Sequence, residues 1–471
     1  METEIFKLSA HELSDAYNNK TLSPVEVTKS IIDRINSIDK DINAFVFIDE
    51  EKALEQARGS ENRWFSNTEK SPIDGVPTAI KDLLYTKGWA TLRGSKTINP
   101  NNEWNDDAPV TARLKEAGAV LIGKTTTPEF GHRGTTQSPL TGITRNPWNL
   151  KCTSGGSSGG SSSSVASGMG PLAIGTDGGG SVRIPCSFTG LFGIKPTFGK
   201  IPAWPLSPFG TIANLGPMTR TVKDGAMLFA QISKPDWRDW HADSSMNSDF
   251  LNRLGEGIKG KKIAYCKDFG MSYLWEKNRI EKDVENNVKN ATKVLEDLGA
   301  NVEEINITWA SDPKKAFHVL WTSGAAFLSK DFTTEEKNLL DPIFRKFCEL
   351  GSKNSLFTRL EAESSRGTNG AVINEIFQKY DLIVGPTMPT VAFKAEDLVP
   401  EGWGDDEFDW TPFTYPFNMT CHPAATLNCG FSNGLPIGFQ IIAKKDYDVD
   451  TFICAAALEK ALSLKDIWPD I

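Results

Sequence analysis

Residues 154–181 read Ser154-Gly-Gly-Ser-Ser-Gly-Gly-Ser-Ser-Ser-Ser-Val-Ala-Ser-Gly-Met-Gly-Pro-Leu-Ala-Ile-Gly-Thr-Asp-Gly-Gly-Gly-Ser181. Serine and glycine fill 19 of the 28 positions, a composition that would suit a flexible linker. Val165, Met169, Leu172, Ala173 and Ile174 nevertheless interrupt it with core-type residues, and Asp177 is its only charge. A linker gains nothing from side chains that favour burial, so the segment reads as folded, with a helix over 161–168 and a strand over 172–174. If these fold back on each other, Ser157 and Ser181 converge, each at a glycine-dense turn. Gly178, Gly179 and Gly180, just ahead of Ser181, then offer consecutive backbone N–H groups to a developing oxyanion with no side chain in the way. That is how an acyl-transfer site is assembled.

Outward from this segment, helix and strand signals alternate. Pro109 to Ala117 reads as a helix ended by Gly118, and Ala119 to Ile122 as a buried strand. Ile280, Val284, Val288, Ala291, Leu295 and Leu298 mark a helix closed by Gly299, with strands on both sides at 262–266 and 302–305. Toward the N-terminus, Ser9-x-x-Glu12 and Ser23-Pro-Val-Glu26 are capping boxes, the second with proline at the first helical position. Val27, Ile31, Ile35 and Ile38 fall on one face of that second helix and must dock on a larger body. Alternation of this kind argues for a layered α/β fold. The residues alone leave one large domain or two open for a chain of 471.

Composition narrows the function. The net charge of -9 disfavours a nucleic-acid backbone as partner, and no run of about 18 apolar residues suggests a membrane span. The acidic start, Met-Glu-Thr-Glu, lacks the cationic n-region of a signal peptide, so a cytoplasmic location is expected. Seven scattered cysteines (Cys152, Cys186, Cys266, Cys348, Cys421, Cys429, Cys454) contain no C-x-x-C pair and read as reduced thiols. The five histidines show no metal-ligand spacing, so neither a metal nor another cofactor is expected.

Two motifs point elsewhere and fail on context. Gly118-Ala-Val-Leu-Ile-Gly-Lys-Thr125 matches the phosphate-loop pattern G-x-x-x-x-G-K-T, but its middle residues are the strand itself, and Pro128 opposes a helix running on from Lys124. Gly155-Gly-Ser-Ser-Gly159 fits the G-x-S-x-G elbow of α/β-hydrolases, which would make Ser157 the nucleophile of a triad using His241, His318 or His422. The stretch before it, residues 145–154, is polar and turn-like where that elbow needs an apolar strand.

A serine nucleophile still needs a base. Lys81 lies in Ile73-Asp-Gly-Val-Pro-Thr-Ala-Ile-Lys-Asp-Leu-Leu84, apolar surroundings that would desolvate an ammonium and favour the neutral amine. Lysines rarely sit fully buried, so a surface lysine remains the ordinary reading on spacing alone.

The segment 154–160, Gly175-Thr-Asp-Gly-Gly-Gly-Ser-Val-Arg-Ile-Pro185 and Gly193-Ile-Lys-Pro-Thr197 closely resemble the signature of the amidase signature family. Asp74-Gly-Val-Pro-Thr-Ala-Ile-Lys-Asp82 is similar to its lysine motif, and Asp381-Leu-Ile-Val-Gly-Pro-Thr387 and Tyr415-Pro-Phe-Asn-Met-Thr-Cys-His-Pro-Ala424 to further segments. The resemblance spans nearly the whole chain. It implies a three-layer α/β/α fold on a central mixed β-sheet, formed by a single domain over 1–471, with helices of 1–60 packed on a signature core at about 70–230. It implies Ser181 as nucleophile, Ser157 on a cis peptide bond as proton relay, Lys81 as base, Gly178 to Ser181 as oxyanion hole, and Asp177 and Arg183 as braces of that loop.

The implied substrate is a small-molecule amide, and a homodimer is left open. The family also contains the A subunit of glutamyl-tRNA amidotransferase, which works with partner subunits. Beyond Lys200, residues 201–210 (Ile-Pro-Ala-Trp-Pro-Leu-Ser-Pro-Phe-Gly) and the run Tyr415-Pro-Phe-Asn418 resemble stand-alone amidases instead, which ranks the amidotransferase reading second, beside a non-catalytic scaffold of the same fold. Phe130, His132 and Trp321 are candidates for the substrate pocket. The run Glu401, Trp403, Asp405, Asp406, Glu407, Phe408, Asp409 and Trp410 could recognise a cation, but reads in the first place as a solvated loop anchored by its tryptophans.

Overall fold

The structure, a computed structural model, describes residues 4–243, 250–404 and 406–471. Its centre is an 11-stranded sheet. In chain order the strands are β1 (Phe45–Ile48), β2 (Pro77–Lys81), β3 (Val120–Thr125), β4 (Leu172–Asp177), β5 (Phe192–Lys195), β6 (Asn214–Thr219), β7 (Lys262–Tyr265), β8 (Asn301–Glu304), β9 (Leu382–Pro386), β10 (Ala424–Ser432) and β11 (Leu435–Ala443). They lie side by side as β1-β3-β2-β4-β6-β5-β10-β11-β9-β7-β8. β2 runs parallel to β3 and β4, β7 runs parallel to β8 and β9, and the remaining pairs are antiparallel, so the sheet is mixed.

Side-chain alternation along the strands builds the three layers expected from the sequence. Ile263 and Tyr265, Leu382 and Val384, and Ile441 and Ala443 join one apolar core, while Ala264, Ile383 and Ile442 between them point into another. The first core is covered by the helices Lys282–Asp297 and Asp448–Leu462. The second is covered by Pro313–Leu328, Pro342–Gly351 and Leu356–Ile376.

The N-terminal helices dock as their pattern requires. Both capping boxes are formed, at Ser9 and Ser23, and Val27, Ile31, Ile35 and Ile38 are buried in the first core. Asp224 accepts the N–H groups of Ala10 and His11 at 3.0 and 2.9 Å, placing a carboxylate on the start of the first helix, where its dipole favours negative charge. The phosphate-loop look-alike is β3, buried at every position. Its Lys124 ammonium turns inward to the Leu84 carbonyl and, at 2.9 Å, the Thr91 hydroxyl.

Residues 145–153, read as turn-like, hold a short two-stranded ribbon, Arg145–Asn146 with Asn149–Thr153. It lies outside the main sheet and is half exposed, because its side chains are polar. No described helix is long and apolar enough to cross a membrane.

Candidate active site

β2 and β4 are parallel neighbours with Ile80 opposite Ile174, so Lys81 and Thr176 emerge together at their carboxyl ends. Open α/β sheets place their ligand crevices at such ends. Two helices start there. Gly159–Ala166 follows Ser157 and Ser158, and Arg183–Thr189 follows Ser181. The Ser158 N–H donates to the Ser181 carbonyl at 3.1 Å and ties the two turns together. The peptide bond between Gly156 and Ser157 is cis.

Lys81 is 0% exposed. Its Nζ lies 2.7 Å from Ser157 Oγ, 2.9 Å from Ser158 Oγ and 2.9 Å from Thr176 Oγ1, so its hydrogen-bond partners are all hydroxyls. Burial pushes its pKa well below the ordinary lysine value, and the more distant charge of Asp177 opposes this only in part. Ser158 and Thr176, which complete this shell, carry no spacing signal that separates them from the serines and threonines around them.

Asp177 is also fully buried. Its carboxylate accepts from Gly180 N at 2.8 Å, Val182 N at 3.2 Å and Arg183 Nε and Nη2 at 3.0 Å each, and from Asn418 Nδ2 at 2.8 Å. Burial alone would raise its pKa; the Arg183 charge and hydrogen bonds, with those of Asn418, outweigh it and hold the group at about 2. Arg183 in turn donates to Asn418 Oδ1 at 2.6 Å, Gln440 Oε1 at 2.8 Å and the Thr414 carbonyl at 3.0 Å. The turn 178–181 is thus pinned on its inner side by two opposite charges. Of the four amides expected to serve an oxyanion, that of Gly180 is already directed at Asp177.

Ser157, Thr176, Gly178 and Ser181 face a cavity of about 430 Å³. Of the expected pocket residues, Phe130 and Trp321 line it. His132 does not: its ring packs 5.2 Å from Phe344, with Nδ1 2.7 Å from the Glu129 carbonyl, and its own carbonyl receives the Trp321 indole N–H at 3.1 Å. Residues 203–209 also line it, with Trp204-Pro205 joined by a cis bond and Phe209 stacked on Trp321 at 4.1 Å. The alternative bases lie elsewhere. His422 is buried between Thr420 and Asn374, its pKa lowered to about 3 by burial and then by Lys195 and Lys445.

Residues 406–410 are more deeply built in than a solvated loop, whereas Glu401, Gly402 and Gly404 are exposed. Trp410 is 0% exposed against Phe188 and Phe393, the Glu407 carboxylate accepts the Gly134 N–H, and Lys314 holds both Asp406 and Asp409 at 2.6 Å. The acids available for a cation are therefore partly engaged by an internal one. Asp405 lies outside the described residues. Among the described residues, no group of three or more His, Cys, Asp or Glu side chains is arranged to hold a metal ion.

A lysine enclosed by hydroxyls at the carboxyl ends of parallel strands, beside a serine on a glycine turn, is an arrangement that can activate a serine for acyl transfer. The chain matches the Amidase family over residues 26–452. It is 34% identical to the A subunit of the glutamyl-tRNA(Gln) amidotransferase of Pediococcus pentosaceus, covering 99% of each chain, and 33% identical to an acylamidase of Rhodococcus erythropolis, covering 99% of this chain and 98% of that one. Among solved structures, a bacterial aryl acylamidase of the amidase signature enzymes superposes with a TM-score of 0.89 at 29% identity, over 96% of each chain. The chain belongs to the amidase signature family and is an amide hydrolase acting on carbon–nitrogen bonds other than peptide bonds.

Proposed function

We propose that this enzyme, working as one catalytic unit over its whole length, hydrolyses a small-molecule amide to a carboxylate and an amine or ammonia. Ser181 Oγ attacks the amide carbonyl, and its proton passes through Ser157 to neutral Lys81. The carbonyl oxygen gathers negative charge against the amides of Gly178, Gly179 and Ser181. The relay returns the proton to the leaving nitrogen, the C–N bond breaks, and water hydrolyses the Ser181 ester by the same route.

The observation that carries this reading is the enclosure of Lys81 by three hydroxyls. Ser158 Oγ donates its own proton to the Thr176 carbonyl at 3.2 Å, so toward Lys81 it accepts. A neutral amine has two N–H bonds and one lone pair. With the N–H bonds directed to Ser158 and Thr176, the lone pair is left for the Ser157 hydroxyl, the geometry of a base ready to take a proton.

The test is turnover of an amide panel by the pure protein. Ser181→Ala and Lys81→Ala should each abolish turnover while His422→Ala retains most of it, and a fluorophosphonate should label Ser181; loss confined to His422→Ala would overturn the assignment. The near-equal identity to the amidotransferase chain supports a second reading, glutamine as the ammonia source within a larger complex. Release of ammonia from glutamine in preference to every stand-alone amide in the panel would favour it.

A further inference from the structure

Three charged side chains among the described residues line the cavity: Arg93, Lys330 and Asp331. Lys330 and Asp331 pair with each other. Arg93 has no such partner. Among the described residues its one side-chain hydrogen bond runs from Nη2 to the Tyr85 hydroxyl at 3.2 Å, and its guanidinium stands 5.5 Å from the centre of that ring. No carboxylate of the described residues forms an ion pair with it. The same residue also borders a second cavity, of about 290 Å³, whose lining includes Glu103 and Asp106.

The backbone around Arg93 is held firmly. Its φ is 55°, a region costly for a non-glycine residue. Its carbonyl accepts the Phe130 N–H at 2.8 Å, while the buried Asp82 carboxylate accepts the N–H of the preceding residue, Leu92, at 3.2 Å. The loop is thus tied to a cavity wall residue on one side and to the end of β2 on the other.

We infer that Arg93 is the anion-recognising residue of this cavity, and that the amide hydrolysed carries a carboxylate remote from its scissile bond. A guanidinium presents five donors in a planar fork that matches a carboxylate, and Tyr85 takes only one of them. Facing a cavity walled by Phe130, Trp204, Phe209 and Trp321, that pairing is strengthened by the low local dielectric. The Lys330–Asp331 pair at the same cavity is self-neutralised and supplies no competing cation. The inference rests on the amidase reading above.

The experiment uses matched substrates differing in one carboxylate, placed on the acyl side (glutaryl against valeryl anilide) or on the amine side (4-acetamidobenzoate against 4-methylacetanilide). Turnover and protection of Ser181 from a fluorophosphonate are both read. Wild-type enzyme should prefer the charged member of at least one pair. Arg93→Gln should cut that preference roughly ten- to hundredfold, mainly through KM, with Arg93→Lys between the two. Both variants keep a Cβ at the same strained φ, so neither adds backbone strain. Equal handling of both members by the wild type, or a preference that survives in Arg93→Gln, overturns the role of Arg93 and leaves the amidase reading intact. Absence of Ser181 labelling together with absence of turnover would instead overturn the amidase reading.

Discussion

The carboxylate of Asp177 accepts the backbone N–H of Gly180 at 2.8 Å. The same carboxylate is the counter-ion of Arg183, buried with it. One side chain therefore shapes the turn before Ser181 and neutralises the cation behind it. Asp177→Ala leaves Arg183 buried without its partner, a loss expected to cost about 3–5 kcal/mol, and it releases the turn. The urea midpoint at neutral pH should fall, and kcat of whatever folded protein remains should fall with it. The pH arm has a definite sign: a carboxyl depressed to about 2 stabilises the fold above the unfolded value of about 3.9, and this contribution disappears as pH falls through about 2. Thermal melts of wild type and Asp177→Ala should therefore converge toward pH 2.

Lys81→Met should separate activity from stability. Burial disfavours the charged lysine, so the folded state binds fewer protons than the unfolded chain, and this site makes stability rise with pH up to the ordinary lysine range. Methionine removes that burden while filling similar space. The melting temperature near pH 7 should stay level or rise, whereas turnover should drop by about a thousandfold or more. In the wild type, kcat/KM should increase with pH as Lys81 loses its proton and level off below the usual lysine pKa. A Lys81→Met enzyme retaining most of its turnover, with the pH limb intact, would remove the lysine from the mechanism.

Local chemistry made much of the framework readable. Ser9-x-x-Glu12, Ser23-Pro24 and the Val27–Ile31–Ile35–Ile38 stripe specify helices through hydrogen bonds and contacts a few residues apart, and they fold as read. The false phosphate loop could be discounted because its middle residues are strand formers, and β3 is where they lie. What escaped were contacts that the chain makes only after long excursions. Asn418 meets Asp177 across 241 residues and Gln440 meets Arg183 across 257, with nothing local to announce either. Glu407 sits in a run of acids that resembles a solvated face, yet the fold half-buries it and directs the Gly134 N–H at its carboxyl group. His132, two residues from a true cavity residue, turns away because Phe344 and Phe347 offer it a packing face.

Glu407 carries a pH signature of the opposite sign to Asp177. Burial raises its pKa to about 8, with the Gly134 N–H and the Arg133 charge opposing only in part. The folded protein holds this proton where the unfolded chain has released it. Stability is therefore full below the unfolded value of about 4.3 and declines as pH rises toward 8. Glu407→Gln resembles the protonated acid and cannot ionise. Its melting temperature should match wild type near pH 4 and exceed it at pH 8–9; an unchanged gap across that range would mean that Glu407 titrates normally.

Gly178 and Gly179 are required for space rather than for backbone conformation, since neither has positive φ. A Cβ at Gly179 would stand 2.6 Å from Cζ of Phe317, and one at Gly178 would stand 2.9 Å from Cζ3 of Trp321. Those rings cannot simply retreat: Phe317 is stacked between Trp321 at 5.3 Å and Tyr415 at 4.7 Å, and Trp321 is held by the His132 carbonyl. Gly179→Ala must therefore move the turn itself, at a cost of about 1–3 kcal/mol from overpacking and roughly a hundredfold in kcat from the displaced amides. If crowding is the cause, Phe317→Leu should restore much of the activity lost in Gly179→Ala while lowering that of the wild type, a coupling readable from a double-mutant cycle. Additive losses in the pair would show instead that Gly179 contributes through chain flexibility, and that the aromatic stack does not set the position of the cradle.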